Sequence, residues 1–277
     1  QPCRDKGSGS WNENTWTVGV DYQITPDAMV YLAHRKGYKA GGFNTFAPPG
    51  KLLFEPETVK DLEVGAKVDW RAGSVQSRTN VAVYNSWFDD IQRSDSFFVG
   101  TTLFQFTSNT AKAQIFGVEL ENTFLFGERL QLDLLYSYTD AGYDDYTDFF
   151  GRDLSDLPFA GVPENRVQAR AAYTIPLSAT QGDLRLSADW SWQDRQSVAP
   201  SNDLVMEESD IRAYSLVNAR IQWSNLMGSG VDVGVFGTNL ADKTYAYGGQ
   251  GTGDTLGFTG YWYAPPRMWG VDLRYSF

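Results

Sequence analysis

The only imidazole in this 277-residue chain belongs to His34, so any hydrolytic site that moves protons through histidine has one place to be. A nucleophile needs a base within hydrogen-bond reach, oriented by a third group. No Gly-x-Ser-x-Gly elbow accompanies His34. An enzyme is therefore not expected and no catalytic residue is assigned. Arg35, Lys36 and Lys39 follow His34, and a local basic cluster can focus an anionic ligand. Ion pairing with the chain's many carboxylates is the preferred reading of the same residues. Asp140, Asp144, Asp145, Asp148 and Asp153 offer hard oxygens of the kind Ca²⁺ takes. Without a recognised loop spacing they read as a solvated loop, and no metal or cofactor is assigned. Gly248-Gly249-Gln250-Gly251-Thr252-Gly253 mimics a phosphate loop. It neither follows a buried parallel strand nor opens a helix, so it reads as loop flexibility.

Composition narrows the class. Mean hydropathy is −0.37 while aromatics make up 15% of residues, and no run approaches the roughly 18 apolar residues of a spanning helix. Strands apolar on one side only reconcile the two numbers, although a soluble all-β protein fits them too. The net charge of −11 and pI near 4.6 leave no basic stripe to neutralise phosphates, so nucleic acid is not an expected partner. A single cysteine, Cys3, excludes an internal disulfide; it is a free thiol or pairs with a residue upstream. No signal peptide is visible at Gln1.

Period-two alternation dominates the chain. In the last segment Trp269, Val271, Leu273, Tyr275 and Phe277 alternate with Gly270, Asp272, Arg274 and Ser276. Leu130, Leu132, Leu134, Tyr136 and Tyr138 oppose Gln131, Asp133, Ser137 and Thr139 in the same way. About eleven strands are predicted, near 15–23, 28–38, 61–71, 75–91, 104–126, 129–143, 165–175, 182–197, 212–224, 230–239 and 267–277. Around Val30–His34 and Asn80–Phe88 the facing stays open. Short turns alternate with long loops near 39–60, 92–103, 144–164, 198–211 and 240–266, as periplasmic turns and extracellular loops do in outer-membrane barrels. No charge falls on the apolar face of the clearly phased strands, which favours lipid on that side. Trp70, Tyr173, Trp190, Trp192, Trp223 and Trp269 lie near strand ends, where rings anchor at the bilayer interface.

The fold class expected is all-β, a transmembrane antiparallel β-barrel with about eleven strands of a 22-stranded whole. An odd antiparallel set cannot close, and open edges are unsatisfied in lipid. Residues 1–14 then read as an extracellular loop remnant and 15–277 as the carboxyl-terminal part of the barrel, with a plug domain and the amino-terminal strands absent. Long loops would be extracellular and the carboxyl terminus periplasmic. A passive porin-type channel is the alternative.

Several segments resemble the TonB-dependent receptor family. They are Gly37-Tyr38-Lys39-Ala40-Gly41-Gly42-Phe43-Asn44, Pro56-Glu57-Thr58 leading to Glu63-Val64-Gly65, and Gly117-Val118-Glu119-Leu120-Glu121. Pro163-Glu164-Asn165-Arg166, Gly237-Thr238-Asn239-Leu240-Ala241-Asp242 and the ending from Pro265-Pro266-Arg267 to Phe277 complete the set. The resemblance implies uptake of a large scarce solute across a Gram-negative outer membrane: a ferric siderophore first, cobalamin or a glycan next. It implies five partners: outer-membrane lipid, the barrel's own plug, TonB, the barrel-assembly machinery, and a small-molecule or metal-chelate ligand. Leu273, Tyr275 and Phe277 look like the assembly signal. His34, Arg35, Phe43, Tyr247, Trp262 and Tyr263 are the candidate ligand contacts, with Phe46 beside them. Packing of these loop aromatics on their own loops is the competing reading. Charges of both signs on the polar face, including Glu63, Lys67, Glu119, Glu121, Arg170, Arg185, Asp189, Arg220, Asp232 and Arg274, suit a wall that pairs with a plug.

Overall fold

The computed structural model describes residues 7–45, 47–48, 50–178, 180–198, 210–251 and 258–276. Cys3, Phe46 and Phe277 lie outside them. In chain order the strands are β1 (Trp16–Thr25), β2 (Ala28–Lys39), β3 (Gly42–Phe43), β4 (Leu53–Phe54), β5 (Glu57–Ala72) and β6 (Val75–Val99). Then come β7 (Thr102–Phe126), β8 (Leu130–Tyr146), β9 (Asn165–Pro176), β10 (Asp183–Gln193), β11 (Gln196–Ser197) and β12 (Asp210–Ile211). The last are β13 (Tyr214–Ser224), β14 (Val231–Thr238), β15 (Ala246–Gly251), β16 (Thr259–Tyr263) and β17 (Met268–Tyr275). Eleven of them form one sheet in the order β1-β2-β5-β6-β7-β8-β9-β10-β13-β14-β17, and they are the eleven segments that alternation predicts. Every neighbouring pair is antiparallel. β1 and β17 are its edges, each paired on one side only among the described residues.

The register sorts side chains onto two faces. Val20, Leu32, Val64, Val83, Val118 and Tyr138 lie opposite one another across six successive strands. Ala171 stands between Leu132 and Ala188, and Ile221 between Leu186 and Val235. On the other face Arg170 stands between Asp133 and Asp189. The open segments resolve accordingly: Leu32 and His34 stand opposite Val64 and Leu62, and Val81, Val83 and Trp87 share that side. Their ambiguity has a cause, since Tyr31, Tyr84 and Phe236 are aromatics on the polar face. Each ring covers a glycine of the next strand, Gly65, Gly117 and Gly270 respectively, where a Cβ would overlap it. The missing side chain makes room for the ring.

The apolar face has few polar groups, and they satisfy one another. Trp70 Nε1 donates to Thr79 Oγ1, and the Ser77 and Thr79 hydroxyls donate to Asn122 Oδ1, each at 2.9 Å. Unpaired, such groups would cost several kcal/mol away from water.

All five predicted loops contain strand residues, though 144–164 holds only the last three of β8. The segment expected as loop 92–103 is instead the top of a hairpin, because β6 and β7 continue to a turn at Gly100 and Thr101. Ser94, Ser96, Thr107 and Ser108 break the apolar alternation, but a ladder is bonded through its backbone and needs none. A bulge at Asp89 and Asp90, with Asp90 left-handed at φ 57°, divides the hairpin into two parts. β3–β4 and β15–β16 are short hairpins within the loops at 39–60 and 240–266. Gly248 to Gly251 is strand there, not flexible loop. β10 stops at Gln193, and Gln196-Ser197 pairs with β12 instead.

Candidate functional site

The long connections gather at one end of the sheet and fold over its polar face. The β8–β9 connection, 147–164, returns so that Phe159 stacks on Tyr143 at 4.8 Å, with Leu154 and Leu157 against buried Ile91, Ala111 and Ala113. Arg93 is held between two rings, its guanidinium 5.1 Å from the Tyr143 centroid and 5.2 Å from that of Phe159. It also donates to the Tyr143 hydroxyl. Beyond this cluster Phe97, Phe104, Phe106, Phe149 and Phe150 pack edge-on and face-on. The first long loop is tied down by Asn44, which donates to the Lys51 and Thr107 carbonyls and accepts from the Thr107 amide.

Two of the predicted acidic residues shape their own loop. Asp148 is buried and accepts from the amides of Phe150 and Arg152 and from Arg152 Nε. Asp153 accepts from the Ser155 hydroxyl and amide, and these bonds hold its carboxyl below the usual carboxylate range. A depressed native value means stability present above the unfolded value and lost as pH falls through the native one. Protection of the Ser155 amide, corrected for intrinsic exchange, is thus expected to drop below the ordinary carboxylate range. Asp153→Asn should remove that pH step, and a step surviving in the variant would refute the assignment. Among the described residues no three of His, Cys, Asp and Glu converge as a metal-holding group.

The β14–β17 connection begins at Asn239, left-handed at φ 49°. Its amide donates to Asn218 Oδ1, its own Oδ1 accepts from the Lys243 amide, and its Nδ2 donates to the Lys243 carbonyl at 2.9 Å. This bracket turns the chain inward and lays Tyr245 on Tyr214 with ring centroids 4.4 Å apart. Tyr214 pairs with Gln193 and so shares the polar face of the sheet. Arg195, Asp210, Arg212, Tyr214, Lys243, Tyr245, Tyr261 and Tyr263 line the resulting cavity of about 680 Å³.

The sequence matches the family described as "TonB dependent receptor-like, beta-barrel" over residues 3–240. The chain belongs to this family. It is a TonB-dependent receptor β-barrel, from a family of non-enzymatic transporters of the Gram-negative outer membrane. No curated protein matches this sequence. The fold of the ferric yersiniabactin uptake receptor from Yersinia pestis matches at TM-score 0.72 and 21% identity, over 94% of this chain and 37% of that one. The ferric preacinetobactin receptor from Acinetobacter baumannii matches at 0.67 and 18%, over 94% and 36%. The copper transporter OprC matches at 0.70 and 14%, over 95% and 39%. This chain thus spans little more than a third of the length of these solved structures. The receptor barrel's apolar face is its lipid face, and the polar face lines its interior.

The barrel does not bring the predicted ligand contacts together. His34 and Arg35 point to opposite faces. His34 Nδ1 lies 2.6 Å from the Asp61 carbonyl on the lipid side, and Lys36 pairs with Glu13. Arg35, on the interior, binds Asp61 and Glu63. Phe43 packs edge-on against Trp11. Tyr247, Trp262 and Tyr263 stand at the far edge of the sheet, and of the three only Tyr263 lines the cavity. Arg93, Arg212, Tyr214, Lys243 and Tyr245 escape sequence reading, because contacts between loops leave no periodic trace. The one local signal was the Asn239 turn.

Proposed function

We propose that this barrel belongs to an active receptor for a large scarce solute, with ferric siderophores ahead of cobalamin and glycans. The observation that carries the proposal is the inward fold of the long connections, which builds an aromatic and charged mouth on the interior face. The long-loop end faces the medium and the carboxyl terminus the periplasm. Unpaired backbone at the edges β1 and β17 calls for further strands to close the wall, so residues 15–277 form the carboxyl-terminal part of a larger barrel preceded by the loop 1–14. The interior wall pairs partly with itself, through Arg35 with Asp61 and Glu63, Arg78 with Asp69, and Arg220 with Asp272. Among the described residues Arg170, Arg185 and Arg274 have no ion pair, and a plug is their proposed partner. His34, Arg35, Phe43, Tyr247, Trp262 and Tyr263 stay as ligand contacts to be tested singly, and Leu273, Tyr275 and Phe277 as the assembly signal.

Uptake of ⁵⁵Fe-loaded chelates by cells expressing the complete gene, with and without TonB, tests this reading. Uptake that vanishes without TonB is expected. Uptake independent of TonB, with steady ion conductance in planar bilayers, would establish a passive channel instead.

A further inference from the structure

We infer that the lipid-facing pair Lys36 and Lys60, at the long-loop rim of the barrel, holds a phosphate of the phosphorylated glycolipid in the outer leaflet. The inference rests on the receptor reading for its orientation, with the long-loop end toward the medium, and adds a lipid site outside the solute path. The register sets one row of outward side chains across β1, β2, β5, β6 and β7. Trp16 stands opposite Lys36, Lys36 opposite Lys60, Lys60 opposite Trp87, and Trp87 opposite Gln114. Among the described strands, the cationic residues on the lipid face are Lys36, Lys60 and Lys112, and all three lie toward the long-loop end. Like charges directly opposite each other in a sheet repel. An anion seated between Lys36 and Lys60 turns that repulsion into two attractions.

The carboxylates nearby leave the pair short of negative charge. Glu13 accepts from Lys36 Nζ at 2.7 Å, and that Nζ also stands 5.5 Å from the Trp16 ring centroid. Asp89 faces Lys112 at 3.6 Å. Asp61 accepts from Arg35 on the interior, Glu57 from the Gln92 amide, and Glu55 from Trp11 Nε1. Residues 1–6, outside the described ones, carry Arg4 and Lys6 against Asp5 and so add no net negative charge. Lys60 is exposed and has no ion pair among the described residues. Its surroundings suit a headgroup. Trp16 and Trp87 are exposed, and such amphipathic rings settle at the membrane–water interface. Beside Trp87, Gln114 Nε2 donates to Asn85 Oδ1 at 2.9 Å, leaving Asn85 Nδ2 and Gln114 Oε1 for a sugar hydroxyl. A plain phospholipid would use the lysines but not the amides, so the pattern favours a phosphorylated sugar headgroup.

The test uses the receptor as its gene encodes it, purified in detergent and stripped of outer-membrane lipid, with bound lipid counted by native mass spectrometry. The probes are bisphosphorylated lipid A, its dephosphorylated form, phosphatidylglycerol and inorganic phosphate. Bisphosphorylated lipid A should be retained best and the dephosphorylated form poorly. Lys36→Gln combined with Lys60→Gln should weaken its retention about tenfold, while Arg129→Gln, in the turn between β7 and β8, should change nothing. Melting temperature gives a second reading. Lipid A should raise it in the unaltered receptor and much less in the double variant. Without lipid, Lys60→Gln should melt no lower than the unaltered receptor, because a repulsion is relieved. Equal retention by the double variant, or phosphatidylglycerol retained as well as lipid A, would overturn the inference. Inorganic phosphate that displaces lipid A at comparable concentration would mark a free-anion site and overturn it too. TonB-dependent uptake with unchanged lipid A retention in the double variant sinks this site and leaves the receptor reading intact. Retention lost in the double variant, with uptake that needs no TonB, does the reverse.

Discussion

Ala171→Arg is expected to destabilise the barrel by about 2–4 kcal/mol, the cost of a guanidinium near the midplane of the lipid face. Ala171 is central in β9, with Leu132 and Ala188 as its cross-strand neighbours. A charge there has no partner and little room to reach the interface. Gln168→Arg is the control, three residues away on the interior face between Leu135 and Ser191. Arg166 and Arg170 already occupy that face, so the control should cost less than about 1 kcal/mol. Urea unfolding of the complete receptor in lipid vesicles gives both values. Equal losses would mean that the two faces are wrongly assigned.

Asp148→Ala should loosen the β8–β9 connection locally by about 2–3 kcal/mol. Its side chain is 4% exposed and accepts two backbone amides, whereas that of Arg152 is 43% exposed and stays hydrated. The cost therefore comes from the stranded Phe150 and Arg152 amides rather than from a stranded charge. Asp148→Asn keeps an acceptor and should recover most of the loss. Hydrogen exchange over 147–157 should rise strongly in the alanine variant and modestly in the asparagine variant, with the strands unchanged. Identical behaviour of the two variants would show that the carboxylate's charge, and not its acceptor geometry, holds the loop.

The strands were legible because lipid imposes one rule on alternate residues: Val271, Leu273 and Tyr275 obey it, and so do Leu130, Leu132 and Leu134. Where lipid ends, the rule lapses. The upper part of the β6–β7 hairpin reads as loop because Ser94, Ser96, Thr107 and Ser108 answer to no bilayer. The site was less legible still. His34 and Arg35 look like a cluster in one dimension, yet adjacent residues of a strand point to opposite faces. Tyr245 and Tyr214 are far apart in sequence and meet only because Asn239 turns the chain back.

The three rings seated over glycines bear on how such a sheet avoids threading itself wrongly. Sliding one strand by a single residue swaps its faces and is heavily penalised. Sliding it by two keeps every apolar side chain in lipid, so alternation alone cannot tell the two alignments apart. A slip of two would move Tyr84 from Gly117 onto Ile115 or Glu119, where a side chain already fills the space. Tyr31 on Gly65 and Phe236 on Gly270 impose the same condition at two other seams. Each ring with its glycine works as a key in a lock, rejecting the misalignment that the alternating pattern would accept.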